Sequence, residues 1–312
     1  AYLHIRGFLF QKQTDNGVNM DDGGDYSTPS HHILFENCTF RDIAGTSNND
    51  LLKMSGVDNF EIRNCTFLNG SVGAGNAIDM VGCEDGLIKN SRFENMGAGS
   101  VQAKGGSRNV RIEANFFKNG GLRAVNLGGS TGMQYFRPAN VNYEARDLKV
   151  YANVFVGGAA AVAFVGSVYC EAVNNTIYLP TRYVLRILQE TKGRGFLRCG
   201  NNTFRNNIIF RNSQVLEDCN IGPATDPQSF TFSNDLWFHS QNPTWAGPVL
   251  PVQDVNSIVG QDPLFVNASA ENFFLQSTSP AIGRGYSVAE PAYDYSGAVF
   301  KSPRAIGAFE GN

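Results

Sequence analysis

The chain has 312 residues, of which 42% are hydrophobic, and a formal net charge of -3. That composition can bury a large core, carries no basic field for nucleic acid, and includes no apolar run long enough to cross a bilayer. With 34 glycines, many Asn-Gly, Gly-Gly and Ser-Gly pairs, and no sustained helical period, it predicts many short strands joined by turns.

The chain opens at Tyr2-Leu3-His4-Ile5-Arg6-Gly7-Phe8 in strand-like alternation, without a charged-then-apolar leader, as in a mature or trimmed form. Val18-Asn19-Met20-Asp21 reads as a strand and runs into a Gly-Asp-rich turn. There Asp21, Asp22 and Asp25 supply the oxygen chemistry that Ca²⁺ favours, making calcium the one cofactor with candidate ligands. The histidines are too few for zinc, since His31 and His32 are adjacent while His4 and His239 are isolated.

A phrase then recurs about every 25 residues, the mark of a solenoid whose coils bury their apolar faces only by stacking. It reads Phe35-Glu36-Asn37-Cys38-Thr39-Phe40, then Ile62 to Phe67, Ile88 to Phe93, Ile112 to Phe117 and Val150 to Phe155. Weaker copies follow at Val173 to Ile177, Gly200 to Phe204 and Asn206 to Ile209. Phe40, Phe67, Phe93, Phe117 and Phe155 should stack internally. Asn37, Asn64 and Asn90, with Asn115, Asn153 and Asn175 one place along, should form an Asn ladder at one bend. Cys38 and Cys65 share a repeat position continued by Ser91, which predicts a buried small-residue column; Cys199 and Cys219 are better candidates for a disulfide.

Within a coil, Leu51 to Gly56 reads as a strand, Asp58-Asn59 as a corner, Phe60 to Ile62 as a second strand, and Thr66-Phe67 as strand-like after a bend at Asn64. Leu52 with Met54 and Ile78 with Met80 point inward, leaving Lys53 and Asp79 outward. Through successive coils the outward positions are Asn19 and Asp21, Asp50 and Lys53, Asn76 and Asp79, Gln102 and Lys104, and Arg123 and Asn126. The insertion Gly128 to Arg146 leaves the chain beside them and carries Tyr135, Arg137 and Tyr143. Long loops on a solenoid tend to sit on the binding face. Ala161 to Val165 is apolar throughout and needs a cover. In the second insertion, near 180–195, the apolar run Tyr183 to Glu190 is the one candidate helix. A closing segment spans 241–312, and the whole reads as one domain over 1–312, expected to be a monomer.

These repeats resemble the right-handed parallel β-helix of the pectate-lyase-like superfamily, a single-stranded, all-β solenoid, over residues 2 to 240. The tail from Asp262 to Glu310 is similar to the closing segment of secreted bacterial proteins of this fold, and the resemblance implies a secreted or periplasmic protein. Lys104 in Ala103-Lys104-Gly105-Gly106-Ser107, with Arg123 nineteen residues on, is similar to the Lys and Arg pair of the chondroitinase B and alginate lyase family. The glutamates that precede that Lys in the family as Ca²⁺ ligands have no counterpart in Gly97 to Gln102.

The resemblance implies a lyase that cleaves a uronate-containing polysaccharide by β-elimination. Such a reaction needs the substrate carboxylate neutralised, a base for the C5 proton and an acid for the leaving oxygen. Lys104 is assigned as base, Arg123 as the neutralising charge, and Tyr135 or Tyr143 as acid. Lys53, Asp79, Gln102, Asn126 and Arg137 are assigned to substrate binding, and Gly105 and Gly106 are expected to leave room for the polymer. Two alternatives stand beside this: a glycoside hydrolase using Asp50 and Asp79 as paired carboxylates, and a non-catalytic glycan-binding or tailspike-like module.

Overall fold

The inward apolar alternation closes the chain into coils that stack as three parallel sheets. The computed structural model describes residues 2–43, 45, 47–70, 73–193 and 195–311. A 12-stranded sheet and a 10-stranded sheet form two faces, and an 8-stranded sheet forms the third. This is a right-handed parallel β-helix. The third sheet, here the groove sheet, contains Val18–Asp21, Leu52–Ser55, Asn76–Val81, Gly99–Lys104, Arg123–Gly128, Val162–Val165, Tyr183–Leu188 and Glu217–Ile221. A two-stranded antiparallel pair, Phe265–Asn267 with Asn272–Leu275, lies outside the coils.

The expected aromatic stack is present and starts one coil earlier. Phe10, Phe40, Phe67, Phe93, Phe117 and Phe155 follow one another with ring centroids 4.7 to 4.8 Å apart. Ile177, Ile209 and Trp237 continue the column in register.

The expected Asn ladder is two columns with different jobs. Asn37, Asn64, Asn90, Asn174, Asn206 and Asn234 have positive φ, between 51° and 57°, so they make the left-handed bend that Asn tolerates better than most residues. The adjacent column runs through Cys65, Ser91, Asn115, Asn153, Asn175 and Asn207 to Asp235, each rung's backbone N–H donating to the next side chain at 2.7 to 3.1 Å. The small-residue column and the amide ladder are therefore one feature.

Three expectations need correction. Tyr183–Leu188 is a strand, not a helix, because Leu185 and Ile187 pair in register with Val162 and Phe164, and parallel neighbours on both edges hold it extended. The second insertion accordingly starts after Leu188. All six cysteines are free and buried, Cys199 and Cys219 included. Cys219 pairs in register with Leu185 in the groove sheet, whereas Cys199 sits at the corner beside Ser167.

The tail does two things. Trp245, Leu250 and Val252 pack against the interior of the last coils. From Phe265 onward the chain doubles back along the outer face of the 10-stranded sheet, burying Ile306, Ala308 and Phe309 against Phe116, Val154, Ile208 and Leu236. Here the left-handed asparagines serve again: Asn174 Nδ2 donates to the carbonyls of Ala305 and Gly307, at 2.9 and 3.0 Å, and Asn206 Oδ1 accepts from Tyr286 N at 2.8 Å.

Candidate functional site

A cleft of about 730 Å³ lies over the first coils of the groove sheet, between its outward side chains and the insertion 128–146. Lys53, Ser55 and Lys104 line its floor, Asp21 to Gly24 one end, and Ser130 to Gly132, Tyr135 and Arg137 the wall. Parallel register brings the floor together. Lys53 opposes Asp79 and Asp79 opposes Gln102, so the Lys53, Asp79 and Lys104 side chains come from three successive coils.

Both lysines converge on one carboxylate. Lys53 Nζ donates to Asp79 Oδ2 and lies 3.5 Å from Asp50, and Lys104 Nζ lies 3.4 Å from the same Asp79 oxygen. The aspartates were expected on the solvated face, yet their side chains are 1% exposed, against 22% for Lys53 and 15% for Lys104. The long lysine stems cover them. Burial, and then the neighbouring Asp79, push the Asp50 carboxyl up to about 6. Burial works against the charge on Lys53, but Asp79 and Asp50 outweigh it and hold that ammonium above its ordinary value.

The wall is fastened by groups that the repeat pattern did not single out. Glu144 is fully buried and accepts from Gly105 N at 2.8 Å, Thr131 N at 2.9 Å, Thr131 Oγ1 at 2.7 Å and Thr191 Oγ1. Phe136 packs edge-on against Phe196, so the two insertions brace each other. Gly105 and Gly106 have positive φ, and a Cβ on Gly106 would come within 2.4 Å of Arg137 O. These glycines admit the wall, correcting the expectation that they clear space for a polymer.

Of the remaining expected site residues, Tyr135 is exposed at the cleft and Arg137 lines it. Arg137 is pinned, with Nε and NH2 donating to Asp22 at 2.5 and 2.9 Å and its guanidinium 4.3 Å from the Tyr26 ring centre. The bond from Arg137 holds the Asp22 carboxyl below its ordinary value. Tyr143 is buried beside Arg146 and does not line the cleft, which removes it as an acid there. Arg123 pairs in register with Gly99, five residues before Lys104 on the neighbouring strand, and its guanidinium bonds Glu190 at 2.6 Å; it does not join Lys104. Gln102 bonds Asn76 at 3.0 Å, and Asn126 is buried.

The aspartates considered for calcium are already engaged in turns. Asp21 accepts from Gly23 N, Asp22 from Gly24 N and Arg137, and Asp25 from Ser27 and Thr28. Among the described residues no three Asp, Glu, His or Cys side chains converge to hold a metal ion. This donor set does not fit calcium.

The model of a right-handed β-helix region matches residues 2–177, more than half of the chain. The chain belongs to that family. No curated protein matches this β-helix protein. Among solved structures, XylC in complex with xylose aligns at 12% identity with a TM-score of 0.53, over 90% of this chain and 50% of its own. The β-helix protein thus spans about half the length of XylC. PfbA, a surface adhesin of Streptococcus pneumoniae, aligns at 15% identity and TM-score 0.43 over 77% of this chain and 63% of its own. Pectate lyase Pel9A aligns at 10% identity and TM-score 0.32 over 99% and 88%. The likeness to XylC carries the fold alone. No helix among the described residues is long and apolar enough to cross a membrane.

Proposed function

We propose that this protein is a secreted lyase that binds an acidic, uronate-containing polysaccharide in the cleft and cleaves it by β-elimination. The observation that supports this reading is the meeting of Lys53 and Lys104 over buried Asp79 at the floor of an open cleft. In this reading the roles divide by environment. Lys53, held charged by two carboxylates, neutralises the substrate carboxylate in place of Arg123, which lies on Glu190. Lys104, bound less closely to Asp79, takes the C5 proton as the neutral amine and becomes the ammonium, and Asp79 orients it. The exposed Tyr135 hydroxyl protonates the leaving oxygen.

Burial weighs against the paired-carboxylate hydrolase. A retaining or inverting mechanism needs two carboxyl groups reaching the glycosidic bond from either side. Asp50 and Asp79 are both 1% exposed and share Lys53.

Incubation with pectate, alginate, chondroitin and rhamnogalacturonan, followed by ultraviolet absorbance of unsaturated products, tests the reaction. Lys104→Ala should lose turnover, by the roughly 10²- to 10⁴-fold that a positioned base supplies, while the fold and binding persist. New reducing ends without that absorbance would replace the lyase with a hydrolase, and binding with neither product would leave a glycan-binding module.

A further inference from the structure

Beyond the cleft, the central outward position of the groove sheet continues without a break in register. It runs from Lys53 through Asp79, Gln102, Asn126 and Ala163 to Arg186 and Asn220. Ala163 is the one short side chain in that row after Lys53, and it is nonetheless fully buried. Arg186 follows it in register. Burial, and then repulsion from the Arg123 guanidinium one strand earlier than Ala163, lower the Arg186 pKa.

The charges here are not balanced. Arg123 is answered by Glu190 at 2.6 Å, with its side chain 21% exposed. Arg186 is half-buried and makes no ion pair among the described residues; its Nε donates to Asn220 Oδ1 at 3.0 Å, and its guanidinium lies 5.0 Å from the Tyr183 ring centre. Glu190, bonded to Arg123, attracts Arg186 only from beyond ion-pair distance; such a partly desolvated guanidinium favours an incoming anion, and its planar fork matches a carboxylate in two-point contact. A second observation points the same way. Asn126, 5% exposed and next to Ala163 in the row, has a buried Oδ1 that accepts no hydrogen bond. A buried acceptor left open costs free energy that a ligand hydroxyl would recover.

We propose that Arg123 and Arg186, with Asn126, form a second subsite that binds the carboxylate and a neighbouring hydroxyl of a uronic acid unit. This rests on the reading of the cleft as a site for an acidic polysaccharide, and it adds where the rest of that polymer goes. Ala163 lies two to three strands beyond Lys104 and Asp79, about 10 to 14 Å at ordinary strand spacing. One oligosaccharide therefore occupies both places, and a single sugar cannot. Glu190 gives up Arg123 to the substrate carboxylate or shares it.

Isothermal titration with the tetrasaccharides of galacturonate, mannuronate and chondroitin, each also as its carboxyl methyl ester, tests the subsite. The parent should bind at least one of the acids and not its ester. Arg186→Gln and Arg123→Gln should each weaken that binding by about 10- to 100-fold, the loss of one charge-assisted contact. Arg186→Lys, which keeps the stem and charge but not the fork, should fall between. Arg123 is at the surface, so Arg123→Gln carries the test if Arg186→Gln does not fold. Equal affinity of parent and Arg123→Gln, or equal binding of acid and ester, overturns the subsite, as does failure of the parent to bind any of the three acids. The outcome separates from the lyase reading: arginine-dependent binding without unsaturated product sinks the lyase and keeps the subsite, whereas turnover indifferent to both arginines does the reverse.

Discussion

Asp235 ends a column of amides with a carboxyl group, and the consequence is a dependence on pH. Its Oδ1 accepts from the backbone and side chain of Asn207 at 2.7 and 3.0 Å, while Oδ2 is buried without a partner. Burial, and then the adjacent Asp254, push the Asp235 carboxyl well above its ordinary value, and burial pushes Asp254 up to about 6. Both groups bind a proton more tightly folded than unfolded. The stability they contribute is therefore complete below the unfolded value, about 4, and is lost as pH rises through the folded values. Between pH 4 and 7 Asp254 alone should account for a loss of about 2 kcal/mol, and Asp235 adds to it. Asp235→Asn supplies the amide that the column uses elsewhere. It should flatten that loss in thermal unfolding followed across pH, and an unchanged slope would show that Asp235 does not carry the pH dependence.

The aromatic column and the amide column define the coil as the repeating element, and their continuity is what makes a local change expensive. Phe93 is fully buried between Phe67 and Phe117 at 4.7 and 4.8 Å. Phe93→Ala should cost about 3 to 5 kcal/mol, because rings above and below are fixed by their own strands and cannot close the gap. Chemical denaturation would read that difference, and a midpoint equal to the parent's would contradict the inward register. Much of this was legible from the repeat, since the Phe and Cys positions lie at constant offsets within it. The strand at Tyr183–Leu188 was not, because a short apolar run of that length suits either a helix or a strand until its neighbours are known. Arg186, on that strand, was missed with it.

Over the whole molecule, the flank of the 10-stranded sheet and the groove sheet are treated differently. The flank is covered by the returning tail, fixed by Asn174, Asn206 and the ion pairs of Glu271 with Lys118 and Arg92. The groove sheet instead keeps Lys53 and Lys104 open to the cleft, beside the braced insertions. Ile306 is fully buried in the tail's contact with the coils. Ile306→Asp would place a carboxylate there. Limited proteolysis should then cut between 260 and 311 well before the coils unfold, and simultaneous loss of tail and coils would mean that the tail is integral to the solenoid.

The sequence by itself determined the solenoid, its inward aromatic column, the outward row from Lys53 to Asn126 and the position of the insertion beside it. All of these follow from periodicity, because stacking converts a fixed offset along the chain into a fixed place on a face. Only the tertiary structure decided which charges meet. Lys104 and Arg123 are on neighbouring strands, but register sets Arg123 against Gly99 and leaves Lys104 with Asp79 and Lys53. The wall likewise depends on Glu144 and the Arg137 to Asp22 contact, which join positions more than 100 residues apart in one case. Side-chain reach, burial and the folding back of a long loop have no period, so no repeat in the sequence could have announced them.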